Sequence, residues 1–223
     1  MLKTKTTAVI PVRAGSRRLP NKNISEFADS NLLLWKIEQL KKVKEINSIV
    51  VTSDSDEMLA MAEKAGVKTH KRALEFCDEK TKTFGEVVQH VAENIEGDHI
   101  IWATCTAPLV DSEDYSNAII EYFNALNDGF DSLMSVEPFK RYIWNETGPL
   151  NYKLGVDHVP SQELAQLYFV TDGILIAPRL KMIEWSYFHG TNPFKFKLEK
   201  VKCVDIDDKL DLLVAKAWLS EVK

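Results

Sequence analysis

Two groups of residues in this sequence have types and spacing suited to phosphate and metal chemistry. The first lies in AVIPVRAGSRRLPNKN, Ala8 to Asn23, where Arg13, Arg17, Arg18 and Lys22 bring four cations into ten positions. Gly15, Ser16, Pro20 and Asn21 are turn formers, so these cations belong to a loop. Glycine lets backbone N–H groups approach an anion closely, and guanidinium groups grip phosphate oxygens in a bidentate way. Taken alone, the same four cations also fit a solvated surface turn. The second group is VDIDD, Val204 to Asp208. In an extended segment Asp205 and Asp207 point the same way, within reach of one cation. Oxygen-only ligands suit Mg²⁺, which commonly takes one or two carboxylates together with substrate phosphates and water. Taken alone, the run reads first as Asp207 or Asp208 capping the helix that follows.

The elements that would position these groups follow an alternating pattern. Ala8, Val9 and Ile10 form a short apolar run that Pro11 halts, as in a strand buried on both faces. A cationic loop at the carboxyl end of such a strand is where open α/β sheets bind nucleotides. Leu32 to Val43 reads as a helix with Leu33, Ile37 and Leu40 on one face. Ser48–Thr52 is the second strand. A helix then starts at Asp54, with Glu57 as a capping-box-like partner, and ends at Gly66. Val67–His70 is a third strand, and Thr83 with Glu86 caps a helix to about Asn94, its end marked by Gly97. His99–Ala103 is the fourth strand, followed by a helix from about Ser112 to Leu126 and a fifth strand at Ser132–Val136. This order implies a mostly parallel sheet flanked by helices, an α/β sandwich in one domain spanning residues 1–223.

The pattern breaks between Glu137 and Thr171, where prolines, aromatics and weak periodicity predict an excursion from the sheet. Long irregular loops are uncommon in compact domains unless they carry function or meet a partner. Regular structure resumes with a strand at Gly173–Ala177 and a helix from Pro178 to Trp185, with proline at its first position. Phe194–Leu198 and Lys202–Asp205 read as late strands. The closing helix, Lys209 to Val222, places Leu210, Leu213, Val214, Ala217 and Trp218 on one stripe, expected to be core.

Composition narrows the function classes. With a net charge of −5 over 223 residues, the chain does not resemble a general nucleic-acid binder, which needs a basic face. No apolar stretch approaches the ~20 residues of a membrane helix, and no signal peptide is visible. Three scattered cysteines, Cys77, Cys105 and Cys203, in a chain without an export signal, read as reduced thiols in the cytoplasm. Cys105 has no paired histidine and reads as a spectator. The histidines at 70, 90, 99, 158 and 189 lack zinc-ligand spacing. There is no GxxxxGK[ST], GxGxxG or GxSxG motif.

The loop IPVRAGSRRLPNKN resembles the amino-terminal signature of the CMP-sugar-acid synthetases, the acylneuraminate cytidylyltransferase family, IPARxGSKRLPxKN. It departs mainly by Val12 for Ala and Arg17 for Lys. The late VDIDD resembles that family's DID metal motif ahead of a terminal helix, which favours Asp205 and Asp207 as metal residues. ATCTAPLVD, Ala103 to Asp111, is similar to the family's LQPTSPLR substrate turn. Thr106, Pro108 and Leu109 match, while Thr104 replaces Gln and Val110 replaces Arg. KRALEF resembles RPxEL near the nucleotide base, with Arg72 and Glu75 matching and Ala73 in place of proline. SQEL at 161–164 and TDG at 171–173 resemble a Gln–acid–Leu and Asn-Gly pair, with Asp172 in place of Asn. TSD at 52–54 matches a family strand end.

The resemblance implies a nucleotidyltransferase sandwich whose 137–171 insert is a dimerisation arm. It implies a cytidylyltransferase that joins CTP to a nine- or eight-carbon 2-keto sugar acid and releases pyrophosphate. Under that reading Arg13 and Lys22 contact the phosphates, and Arg17 or Arg18 holds the leaving group. Ala14, Gly15, Ser16, Asn23 and Arg72 line the nucleotide pocket, Thr104, Thr106, Gln162 and Asp172 face the sugar, and Asp205 and Asp207 hold Mg²⁺. The alternatives are a Kdo cytidylyltransferase or another NDP-sugar pyrophosphorylase, and, in a different class, a nucleotide-binding regulator without chemistry. Lys22-Asn23 favours the sialic-acid-like branch, since Kdo enzymes usually read LPGKP there.

Overall fold

Ala8, Val9 and Ile10 have no solvent exposure, as a strand covered on both faces requires. They belong to β1, Thr6–Pro11, near the middle of a seven-stranded sheet. The structure, a computed structural model, describes residues 4–16, 18–78 and 80–221. The other strands are β2 (Ser48–Ser53), β3 (Lys68–Lys71), β4 (His99–Trp102), β5 (Ser132–Phe139), β6 (Leu167–Pro178) and β7 (Pro193–Lys197). Their order across the sheet is β7-β5-β6-β4-β1-β2-β3. Pairing is parallel except along β6, which runs antiparallel to both β4 and β5.

Side chains alternate across the sheet and divide the core in two. Ala8 and Ile10 pack on one face with α1 (Leu32–Lys41), α2 (Asp56–Lys64), α4 (Ser112–Asn127) and α6 (Lys209–Glu221). Val9 and Trp102 pack on the other with α3 (Phe84–Asn94) and α5 (Arg179–Trp185). Thr83 and Glu86 form the expected capping box of α3. Among the described residues no helix is long and apolar enough to cross a membrane.

Several local expectations are corrected. The cap of α2 is Ser55, whose side chain accepts from Met58 N, rather than Asp54, which instead serves the first loop. Pro178 is the N-cap of α5 and lies one position outside the helix. Lys202–Asp205 is no strand: a 3₁₀ turn covers Lys200–Cys203 and extended chain follows. The segment after Glu137 does not leave the sheet at once. β5 runs on to Phe139 and pairs with Leu167–Val170, so β6 starts six residues before Gly173. The expected core stripe of α6 is open to solvent, with Leu210 68% and Trp218 43% exposed. The helix rests instead on Leu212, Ala215 and Leu219, which repeat at i, i+3 and i+7 on another face.

Candidate functional site

The site lies at the carboxyl ends of β1 and β4, where the sheet's central strands open into loops. Pro11 ends β1, Gly15 turns with a φ of 74° and Asn21 with a φ of 54°, a left-handed conformation that both residue types tolerate. This bend folds the cationic loop back over the strand ends. The loop is pinned from several sides. Arg72 is buried and donates through Nη2 to Val12 O at 2.7 Å and through Nε to Cys77 Sγ at 3.0 Å. Arg13 Nη1 donates to Cys77 O at 3.2 Å. Ala14 N donates to Asp54 Oδ1 at 2.9 Å, and buried Asn23 donates through Nδ2 to Arg13 O at 3.0 Å.

The late aspartates reach the same place. Lys22 Nζ is 3.2 Å from Asp207 Oδ1, and Arg18 Nη2 is 2.8 Å from the same oxygen. Asp208 supplies the helix cap, accepting from Leu210 N at 2.7 Å and Asp211 N at 3.2 Å, which separates the two readings of the acidic run. Asp205 Oδ1 is buried without a hydrogen-bond partner. A buried, unpaired carboxylate oxygen beside a second carboxylate fits a hard cation that also takes phosphate oxygens. Among the described residues no three or more potential ligands stand together as a metal cluster.

A third element completes the site. The register of β6 against β5 shifts between Val170 and Leu175, a bulge covering residues 171–174. Ser135 Oγ bridges it, bonding Thr171 Oγ1 at 2.6 Å and accepting from Ile174 N at 2.9 Å. The bulge brings Asp172 to the cleft, where its carbonyl accepts from Thr104 Oγ1 at 2.8 Å. Withdrawal from water inside the cleft raises the Asp172 carboxyl above its ordinary pKa, and the charges of Asp205 and Asp207 add to the shift. Bulges commonly re-aim a side chain beside an active site.

These parts surround a cleft of about 690 Å³. Arg13, Ser16, Arg18, Lys22 and Asp207 line it, as do Thr104, Thr106 and Asp172. Phe84, Trp102 and Phe188 add aromatic rings to the lining, with centroids 5.2–6.5 Å apart. Asn23 and Arg72 also reach the cleft. Ala14, Gly15 and Asp205 lie beside it without lining it, and Gln162 stands on the excursion, where its carbonyl accepts from Lys140 Nζ at 2.6 Å. Arg17 lies outside the described residues. Burial pushes the Cys105 thiol up to about 12, which keeps it protonated and unreactive at neutral pH.

Sequence reasoning missed Lys36, which is fully buried in α1. Its ammonium donates to Ala107 O at 2.9 Å, Val110 O at 3.1 Å and Tyr115 Oη at 3.0 Å. The signal was present: position 36 falls among Leu33, Ile37 and Leu40 on the helix face that packs inward. The aromatic lining was missed as well, because Phe84, Trp102 and Phe188 come from three separated segments.

Comparison with known proteins places these features in a wider group. The sequence profile described as cytidylyltransferase matches residues 7–171. The chain is 27% identical to an N-acylneuraminate cytidylyltransferase of Escherichia coli O18:K1:H7, over 96% of this chain and 52% of that protein. It is 25% identical to a pseudaminic acid cytidylyltransferase of Campylobacter jejuni, over 95% of both chains. The chain thus spans about half the length of the first relative and nearly all of the second. A solved CMP:2-keto-3-deoxy-manno-octonic acid synthetase in complex with CTP superposes with a TM-score of 0.72 at 14% identity, covering 99% of this chain and 100% of that one. At that identity the likeness concerns the fold alone.

Proposed function

The chain belongs to the cytidylyltransferase family, and on that premise we propose that it transfers CMP from CTP to a 2-keto sugar acid of the sialic or pseudaminic type, releasing pyrophosphate. The observation that carries this reading is the meeting of Lys22 and Arg18 with Asp207 in a cleft large enough for a nucleotide. The relative that matches over nearly its whole length is named for pseudaminic acid, which supports an acidic sugar as the acceptor.

In this reaction the anomeric hydroxyl oxygen of the sugar attacks the α-phosphorus. The bond from that phosphorus to the bridging oxygen breaks, pyrophosphate leaves, and the hydroxyl proton passes to solvent. Catalysis of such a step rests on positioning and on charge stabilisation. Arg13 and Lys22 bind the phosphates, and Arg18 neutralises charge on the leaving group. Both Arg18 and Lys22 give up Asp207 as phosphate oxygens take its place. Ser16 and Asn23 hold the nucleotide, while Thr104, Thr106 and Asp172 orient the sugar. Asp205 and Asp207 would hold Mg²⁺, and the ion would supply positive charge at the phosphates beyond that of the cationic loop. The excursion after β5, with Trp144, Leu150, Leu154 and Val156 exposed, forms the contact with a second copy of the chain. The setting is the cytoplasm, where CTP is available.

The test is a pyrophosphate-release assay crossing ATP, GTP, UTP and CTP with a panel of eight- and nine-carbon 2-keto sugar acids. Release with CTP and one such acid is expected. Release with another nucleotide, or CTP binding without release across the panel, would overturn the reading, the latter in favour of a nucleotide-binding regulator.

A further inference from the structure

Three segments meet around the turn Thr104–Asp111. From α1, Trp35 Nε1 donates to Pro108 O at 2.8 Å and Lys36 Nζ donates to Ala107 O and Val110 O. From the chain's late segment, Ile206 N donates to Thr106 O at 2.8 Å. From the cationic loop, Asn23 Oδ1 accepts from Cys105 Sγ at 3.4 Å. Ile206 sits between Asp205 and Asp207, so the backbone bond that places those carboxylates is made to this turn. The third Lys36 contact is Tyr115 Oη, which in turn donates to Gly173 O at 3.0 Å, next to Asp172.

We propose that Lys36 is a positioning residue for the cation and phosphate site: from α1 it fixes the 104–111 turn, and through Ile206 and Tyr115 it sets where Asp205, Asp207 and Asp172 stand against the cationic loop. The inference rests on the site described above being the nucleotide site. An ammonium has three N–H donors, and the three acceptors around Lys36 match them. Tyr115, having given its proton to Gly173 O, keeps a lone pair for the lysine. A buried polar group satisfied in this way locks its surroundings into one arrangement. Packing alone does not call for a charge here. Burial drives the Lys36 pKa down to about 7 against the opposing pull of Cys105, Asp114 and Asp111, so the charged side chain is held at a cost to stability. An apolar side chain of similar length avoids that cost and supplies none of the three bonds.

Lys36→Met, Tyr115→Phe and the surface control Lys41→Met are compared with wild type in two measurements. One is amide hydrogen exchange of the free protein; the other is calorimetric titration of CTP at a series of Mg²⁺ concentrations. Lys36→Met is expected to unfold cooperatively, to exchange faster at both 104–111 and 204–208, and to need roughly tenfold more Mg²⁺ for half-saturation of the CTP complex, as for loss of an outer support of a metal site. Tyr115→Phe is expected to shift both readouts the same way by less, and Lys41→Met neither. A folded Lys36→Met with unchanged exchange at 204–208 overturns the proposal. If Lys36→Met does not fold, Tyr115→Phe decides by the same criterion. If wild type binds no CTP, the proposed function fails, and exchange at 204–208 still decides the role of Lys36.

Discussion

Asp207 Oδ1 accepts from Arg18 Nη2 at 2.8 Å and from Lys22 Nζ at 3.2 Å, so one carboxylate oxygen holds two cations of the loop in place. Arg18 is exposed and Asp207 half-buried, and such a solvent-accessible pair contributes little to stability. The arrangement keeps both cations gathered in the cleft.

Replacing Lys22 or Arg13 by alanine is therefore expected to cut turnover on the order of 10²–10³-fold, as for loss of one transition-state donor. Pyrophosphate release under saturating CTP measures it, and near-normal turnover in either variant would remove that residue from the phosphate site.

Asp207→Ala should move the magnesium titration of activity to higher concentration and leave the global fold intact, since Asp208, not Asp207, caps α6. An unchanged titration midpoint would detach Asp207 from the metal.

Stability should depend on pH through Lys36. Its pKa is about 7 in the folded protein and near 10.5 unfolded, so between these values the unfolded chain binds more protons. Unfolding free energy thus rises as pH rises through 7. The groups facing Lys36 are Cys105, Tyr115, Asp111 and Asp114, and Lys202 pairs with both aspartates. Urea unfolding is compared at about pH 7.5 to 8, above the histidine range and below the free-thiol pKa, and the difference between wild type and Lys36→Met isolates the lysine. Lys36→Met should flatten the slope; an equal slope in wild type and variant would contradict the assignment.

Gly173→Ala tests the bulge. An added Cβ would stand 3.0 Å from Val110 Cγ2 and 3.4 Å from Leu198 Cδ1, so overpacking of about 1–3 kcal/mol is expected from urea unfolding. A stability equal to wild type would show that the bulge can shift, with no constraint on Asp172.

A homodimer at micromolar concentration is expected from the exposed apolar side chains of the excursion. Light scattering giving the mass of one chain would count against an arm that meets a second copy.

Much of this architecture was legible because its signals are local. The apolar run of β1, the capping box at Thr83 and the turn at Gly66 each arise from a few neighbouring residues. The convergence of the cationic loop with Asp207 was readable only through the resemblance, since no periodicity links positions so far apart. Ser55 and Asp54 were confused because either side chain can cap, and a register of one residue decides. The α6 stripe was misjudged because the helix has two apolar faces and only packing selects Leu212, Ala215 and Leu219. Lys36 was passed over because a lysine in a helix is ordinarily solvated, and its acceptors are carbonyls, which leave no mark in the sequence.

Lys22 and Asp207 are 185 positions apart, and β7, the last strand, closes before Asp205 is reached. A nascent polypeptide released only as far as β7 would hold every strand of the sheet and the basic side of the pocket, yet neither Asp205 nor Asp207. Those two carboxylates would then arrive after the scaffold. A nick between β7 and α6 should silence the protein while leaving the sheet assembled.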